Sequence, residues 1–273
     1  MNMKNIKKLI LGAGVLLFMM TSCSGDEMKY EPSVVRDYEL QLNGSPWNIN
    51  VGISTRPIFV YKDNGDYFAN YSSLYRFALE KGNYRFIASD IPTEMVPLPV
   101  NLNDFIVPQS INADQRVDLS AAMPYQSPFE EKLTMNILTR TGTLRLKSKD
   151  IVADPGYSVI KTTVFVKRTG YKVSDETFVK GDMAVSRSKK TTTGGINYLD
   201  DFIVFQTGEA ANNVTIRIEF MTADLVVVKT KEFEGSFPIT GNGVTNIDFN
   251  LNDPDTPIIK DYVVTIDGVV QTK

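Results

Sequence analysis

Residues 214–221 read Val-Thr-Ile-Arg-Ile-Glu-Phe-Met. Val214, Ile216, Ile218 and Phe220 alternate with Thr215, Arg217 and Glu219. Successive strand side chains point to opposite faces, so this period of two marks a strand with one apolar and one polar face. The same period recurs in both directions. Downstream, residues 225–233 follow the turn at Thr222-Ala223-Asp224, and Thr245, Ile247, Phe249 and Leu251 alternate with Val244, Asn246, Asp248 and Asn250. Upstream, Phe202–Phe205 is an apolar strand and Ile160–Lys167 is strongly β-branched, which favours extended backbone. Tyr171, Val173, Phe178 and Val179 read as shorter pieces, and residues 186–195 as a basic, polar loop.

Further toward the N-terminus, Leu133, Met135 and Ile137 open a strand set at Lys132 that Leu144 and Leu146 resume. Tyr38, Leu40 and Leu42 form a strand that stops at Asn43-Gly44, and Trp47, Ile49, Val51 and Ile53 form another. Ile58–Tyr61 is closed by the turn cluster Asp63-Asn64-Gly65-Asp66, and Tyr84–Ala88 follows the turn Lys81-Gly82-Asn83. Pro92, Pro97, Pro99 and Pro108 exclude a helix. Residues 111–126 are expected to be a loop with a strand at its start, and Pro124 and Pro128 bracket a domain boundary.

No long amphipathic helix occurs beyond the N-terminus. Roughly fourteen candidate strands are too many for one seven-stranded sandwich of about 100 residues. The expected fold is therefore all-β: two tandem antiparallel β-sandwiches over residues 37–128 and 129–252. A single large jelly-roll-like domain is the alternative.

Composition narrows function. The chain has 273 residues, 22% charged and 42% hydrophobic, which is globular rather than disordered. A net charge of −3 carries no nucleic-acid footprint. It has no histidine, which removes Ser-His-Asp and Cys-His catalysis, His-ligated zinc and an imidazole general base. Two-carboxylate chemistry such as glycoside hydrolysis passes that filter, so most enzyme classes are disfavoured but not all. The adjacent carboxylates Glu130-Glu131 and Asp200-Asp201 would point to opposite strand faces, so neither pair is poised for it. The expectation is a non-enzyme without cofactor or metal.

The N-terminus reads MNMKNIKKLILGAGVLLFMMTSCSGDE. Lys4, Lys7 and Lys8 precede the apolar run Leu9–Met20, and small polar residues follow, the pattern of a cleaved export signal. The run is shorter than the roughly 20 residues a spanning helix needs. The single cysteine, Cys23, stands at the expected cut, and Met20-Thr21-Ser22-Cys23 resembles a bacterial lipobox. That resemblance implies lipidation of Cys23, with residues 1–22 removed and 23–36 as a tether. More than one acyl chain suffices for stable anchoring. Ser24 after the cysteine resembles outer-membrane sorting, and Ser24-Gly25-Asp26-Glu27 resembles the surface-export signal of Bacteroides-type bacteria.

At the other end, Asp253-Pro254-Asp255-Thr256-Pro257 is a stiff spacer before the alternating strand Ile258–Val270. Two readings stand for residues 253–273. The strand folds back as the last of the second sandwich, with a hairpin at Asp267-Gly268. Alternatively, it adds to the sheet edge of another subunit.

These parts together resemble the Bacteroidales fimbrial lipoprotein superfamily. The motif-level likeness lies in Pro57-Ile58-Phe59-Val60-Tyr61 with Asp63-Asn64-Gly65, and in Leu79-Glu80-Lys81-Gly82-Asn83-Tyr84-Arg85-Phe86-Ile87-Ala88. The resemblance implies transthyretin-like, Greek-key domains and assembly with other fimbrial subunits by strand exchange. It includes polymerising fimbrillins and anchor or minor subunits of the Mfa2/FimB kind. Polymerising members are cut after an arginine. Arg36 is the candidate site; otherwise it is an arginine exposed in the tether and the chain stays lipid-bound.

A second class is a carbohydrate-binding surface lipoprotein of a glycan-uptake system, using Trp47 or exposed tyrosines as a stacking platform. Such aromatics are more often core or strand-face residues. Arg187, Lys189 and Lys190 read as a solvated loop, or as a partner contact.

Overall fold

The computed structural model describes residues 34–37, 39–43, 58–71, 76–89, 100–120, 122–127, 132–154, 156–253 and 256–271. In chain order the strands are β1 (Val34–Asp37), β2 (Glu39–Asn43), β3 (Ile58–Lys62), β4 (Tyr67–Tyr71), β5 (Arg76–Leu79), β6 (Gly82–Ala88) and β7 (Ile106–Pro108). β8 (Asp118–Ser120), β9 (Met123–Ser127), β10 (Lys132–Thr139), β11 (Thr141–Ser148), β12 (Val159–Lys172), β13 (Thr177–Lys190) and β14 (Leu199–Phe205) follow. The last are β15 (Thr215–Met221), β16 (Val227–Phe233), β17 (Val244–Phe249), β18 (Ile258–Ile259), β19 (Tyr262–Ile266) and β20 (Val269–Gln271). Among the described residues the helical elements are 3-10 turns at Leu102–Asp104 and Ala210–Asn212.

The fold is all-β and built of sandwiches. In the C-terminal one, the sheet β14-β11-β17-β19-β20 faces the sheet β13-β12-β15-β16-β18. Leu144 and Leu146 of β11, Ile160 and Val164 of β12, Ile216, Ile218 and Phe220 of β15, and Ile247 and Phe249 of β17 fill the space between them. Alternation on both inner faces is what lets two sheets close on one core. Most ladders are antiparallel, but β10–β2, β11–β17 and β16–β18 are parallel. A parallel pair requires a crossover connection, so β11 and β17 are joined only after the chain has run through the opposite sheet.

On the N-terminal side the sheet is β4-β3-β6-β9, beside the three-stranded sheet β2-β10-β8 and the pair β1-β5. Ile58, Phe59, Val60 and Tyr61 of β3 are all fully buried. Ile58 and Val60 join a cluster with Tyr84, Phe86, Tyr125 and Met135. Phe59 and Tyr61 face the other way, onto Leu102, Phe105 and Val107. A strand covered on both faces loses the polar half of its alternation, which explains the unbroken Ile-Phe-Val-Tyr run. Gly65 holds φ +87°, and a Cβ there would lie 2.8 Å from Asn101 Oδ1, so the turn after β3 is shaped to fit the 3-10 segment.

The second cluster reaches across the molecule, taking in Tyr171, Val173 and Phe205. β7 pairs with Gly170, Tyr171 and Lys172 of β12, whereas residues 159–165 of β12 pair with β15. β12 has 14 residues, about 45 Å at the usual rise, long enough to serve both cores.

Several sequence expectations change. β10 is laddered to β2 and β8, and the chain passes to the sheet of the C-terminal sandwich between Thr139 and Thr141. Alternation in Leu133-Met135-Ile137 marks a strand but does not say which sheet takes it. Within residues 111–126, β8 and the start of β9 are strands rather than loop. Pro124 is accommodated because β9 is an edge strand, where a missing N–H faces away from the ladder. β1 begins at Val34, inside the segment read as tether (23–36). β13 runs to Lys190 and absorbs half of the expected basic loop, since the full length of β12 offers it a partner. Cys23, residues 1–22 and the Trp47–Ile53 strand lie outside the described residues.

The terminal segment pairs within its own chain. β18 lies parallel to β16, β19 lies antiparallel to β17, and β20 returns on β19. Asp267 and Gly268, at φ +49° and +85°, make the tight turn between them. Ile259 is buried in the core, with Tyr262 and Val264 packed against it. Ile259→Ala is therefore expected to lower stability by about 2–4 kcal/mol in urea unfolding. Truncation after Pro257 should cost more and blunt the cooperative transition. A truncated chain as stable as the full one would show that β18–β20 rest on the sandwich without holding it.

Candidate functional site

Both edge strands at one flank of the C-terminal sandwich break their apolar alternation in the same place. On β13, Val185 is fully buried, and the next residues of that parity are Arg187 and Lys189. On β14, Phe202 and Val204 are buried, and the preceding residue of that parity is Asp200. Strand geometry therefore aims two cations and a carboxylate into the rim of the core. Between them opens a cleft of about 590 Å3, lined by Ser186, Arg187, Ser188 and Lys189 of β13, Leu199, Asp200 and Asp201 of β14, and Asn112 and Asp114.

Residues 109–114 form the third wall. Ile203 N donates to Ala113 O at 2.6 Å, and Phe205 N donates to Gln109 Oε1 at 3.0 Å. These bonds cover the outer edge of β14. Arg187 Nε donates to Asn112 O and its NH2 to Ala113 O, both at 3.1 Å. Its guanidinium lies 5.5 Å from the Phe202 ring centroid, and Lys189 Nζ lies 5.7 Å from that of Tyr198. Both cations thus rest on aromatic faces, a favourable contact of about 0.5–1 kcal/mol or more where water is excluded.

Asp200 is 3% exposed. Arg187 NH1 and Lys189 Nζ stand 3.8 and 3.7 Å from its Oδ1, near enough to attract and too far to hydrogen-bond. Its Oδ2 is buried without a hydrogen-bond partner. Burial pushes the Asp200 carboxyl above its ordinary range, Lys189 and Arg187 pull it down by less, and Asp201 adds to the rise. Asp201 itself faces away and takes both Arg145 Nε at 2.8 Å and NH2 at 2.7 Å. The two neighbouring carboxylates are thereby separated, as strand geometry requires, and form no acid–base pair.

Arg187 and Lys189, read from sequence as loop residues, converge on Asp200. Lys190 sits on the other parity of β13 and is exposed. Arg36 lies within β1, where its backbone pairs with Phe77. Cys23 and Trp47 lie outside the described residues. Asp200 was not recognisable as part of a site from sequence. The available signal was a charge on the apolar parity of an otherwise apolar strand.

No protein-family model matches the sequence, and no curated protein does. Solved structures share the fold. A proposed polysaccharide-binding protein of Bacteroides thetaiotaomicron is 10% identical with a TM-score of 0.55, over 87% of this chain and 97% of that one. A proposed adhesin of the same organism is 12% identical with a TM-score of 0.53, over 88% and 98%. A proposed cell adhesion protein of Bacteroides eggerthii is 12% identical with a TM-score of 0.52, over 88% and 97%. The likeness is one of fold, and it spans nearly the whole of those chains.

The raised carboxyl has a testable sign. Folded Asp200 keeps its proton to a higher pH than the unfolded chain does, so stability falls as pH rises from the ordinary carboxyl value of about 3.9 through the raised one. Asp200→Asn is therefore expected to melt higher than the parent at pH 7, with the difference vanishing below about pH 4. A variant that melts lower at pH 7 would show that attraction to Arg187 and Lys189 outweighs burial.

Proposed function

We propose that this chain is a non-enzymatic, lipid-anchored surface subunit of a fimbria-like adhesive assembly, an anchor or minor component rather than a catalyst. The observation that carries the reading is the sandwich fold, shared over 88% of this chain with a proposed adhesin of Bacteroides thetaiotaomicron and with a proposed cell adhesion protein of Bacteroides eggerthii. The lipobox at Met20–Cys23 supplies the attachment, and the absence of histidine fits a chain that works by contact. Among the described residues no helix is long and apolar enough to cross a membrane. Acyl chains on Cys23 would meet the need for a hold on the outer membrane.

Assembly would use backbone pairing at open sheet edges, where main-chain hydrogen bonds provide affinity and alternate side chains provide register. β20 is an edge strand of its sheet. The intramolecular pairing of β18–β20 favours an acceptor role for this chain over donation of its tail. Arg36 is paired in β1, so a protease would have to free β1 from β5 before cutting. An uncut Arg36 leaves the lipid and the sandwiches on one chain, as an anchor requires.

Fractionation of cells carrying Cys23→Ser tests this reading. The parent is expected in the outer-membrane fraction, with a diacyl or triacyl modification on the peptide that begins at Cys23 by mass spectrometry. The variant should lose that modification and leave the fraction. A variant that remains membrane-bound, or a parent found cleaved after Arg36, would remove the anchor assignment.

A further inference from the structure

We infer that the cleft over Asp200 is a binding subsite for a neutral saccharide, with Asp200 and Lys189 gripping a pair of adjacent hydroxyl groups. The bland account of the cluster is defensive. Inward-pointing charges at a sheet edge discourage unwanted strand pairing, and oppositely charged ones close the flank of a sandwich. A closing cluster should satisfy its own hydrogen bonds, since a buried polar group left unpaired is destabilising. This one does not. The Asp200 carboxylate stands beyond hydrogen-bond range of both cations, and its second oxygen has no partner. The gaps of 3.7 and 3.8 Å leave both charge contacts unclosed by a hydrogen bond.

The chemistry of the walls selects the ligand. A carboxylate accepts two hydroxyl protons, and an ammonium donates to hydroxyl oxygens. Adjacent hydroxyls of a sugar ring present both kinds of group at once. Lys189 lies on a flexible stem over the Tyr198 ring, so in the proposed complex it turns from Asp200 to a ligand hydroxyl without backbone movement.

Other ligand classes fit worse. An anion would meet Asp114 and Asp200, while the Nε and NH2 of Arg187 are committed to backbone carbonyls. A metal cation would meet two positive side chains, and among the described residues no cluster of carboxylates and thiols is grouped to hold one. The volume of about 590 Å3 lies within the ordinary range for small-ligand sites, about 300–1,000 Å3.

The inference concerns a different part of the molecule from the lipid anchor and stands or falls separately from it. Calorimetry on the detergent-solubilised full chain tests it. The titrants are neutral malto-, manno-, galacto-, xylo- and chito-oligosaccharides, with sialyllactose and oligogalacturonate as acidic counterparts. At least one neutral series is expected to bind. Asp200→Ala and Lys189→Met should each weaken that binding at least ten-fold. Asp182→Asn, which lies elsewhere on β13 and pairs with Lys167, should leave it unchanged. Thermal melts on the same samples separate lost binding from lost folding, and either cleft variant alone suffices if the other fails to fold. Absence of binding to every neutral series, preference for the acidic sugars, or affinity unchanged in the cleft variants would overturn the assignment.

Discussion

The structure depends on one strand being long enough to belong to two cores. β12 carries Ile160, Val164 and Val166 into the C-terminal sandwich and then Tyr171 into the cluster around Phe59, Tyr61 and Phe105. Its far end accepts β7 as a ladder partner, so backbone hydrogen bonds and side-chain burial act together at the join. Gly170 belongs to this logic. A Cβ there would come within 2.9 Å of Ile106 Cγ2, so the absence of a side chain permits the close approach of β7. Register shifts between Val166 and Gly170 mark the passage from one environment to the other, as expected of bulges that bend a strand and raise its twist.

Such a strand imposes a cost on its neighbour. β13 must follow β12 for 14 residues and remains an edge, and a long exposed edge invites pairing with other chains. Its sequence manages this with charge. Lys180, Asp182 and Lys190 face solvent, and Arg187 ties the strand to residues 112 and 113. Similar protection covers β14, whose outer amides bond to Ala113 and Gln109. The flank that holds the cleft is thus the flank where two edges are guarded. A polar site costs least there, because the core has already ended and charges are already present.

Strand-level features were legible where local chemistry decides. The alternation of residues 214–221 and 244–251 marks β15 and β17, and Asp267-Gly268 marks the terminal hairpin, because these depend on neighbours in sequence. Pairing was less legible. Nothing in Leu133-Met135-Ile137 says that β10 joins β2 and β8, since a ladder partner is chosen by tertiary packing. The basic, polar run at 186–195 reads as a loop because charge resembles solvent exposure. An edge strand with one parity turned inward gives the same composition. The cleft was the least legible feature. Arg187 and Asp200 lie in different sheets, and only the register of β13 on β12, with closure of both sheets on one core, brings them within 3.8 Å.

The energetics of Asp200 argue that stability is not what the cleft serves. Desolvation dominates the carboxyl despite two cations beside it, so the ionised form is held at a net disadvantage in the folded chain. An asparagine of nearly the same size would avoid that charge penalty, and a leucine would extend the apolar row of Phe202 and Val204. Replacing buried ion clusters with apolar residues is often neutral or stabilising. The pair at Arg145 and Asp201 contrasts with it: bidentate, half-exposed and free of orphaned oxygens, it has the geometry of an ordinary surface bridge. Two adjacent residues on one strand therefore meet opposite solutions, one satisfied within the protein and one left unfinished. The unfinished one lines an open cleft, where a partner from outside can complete it.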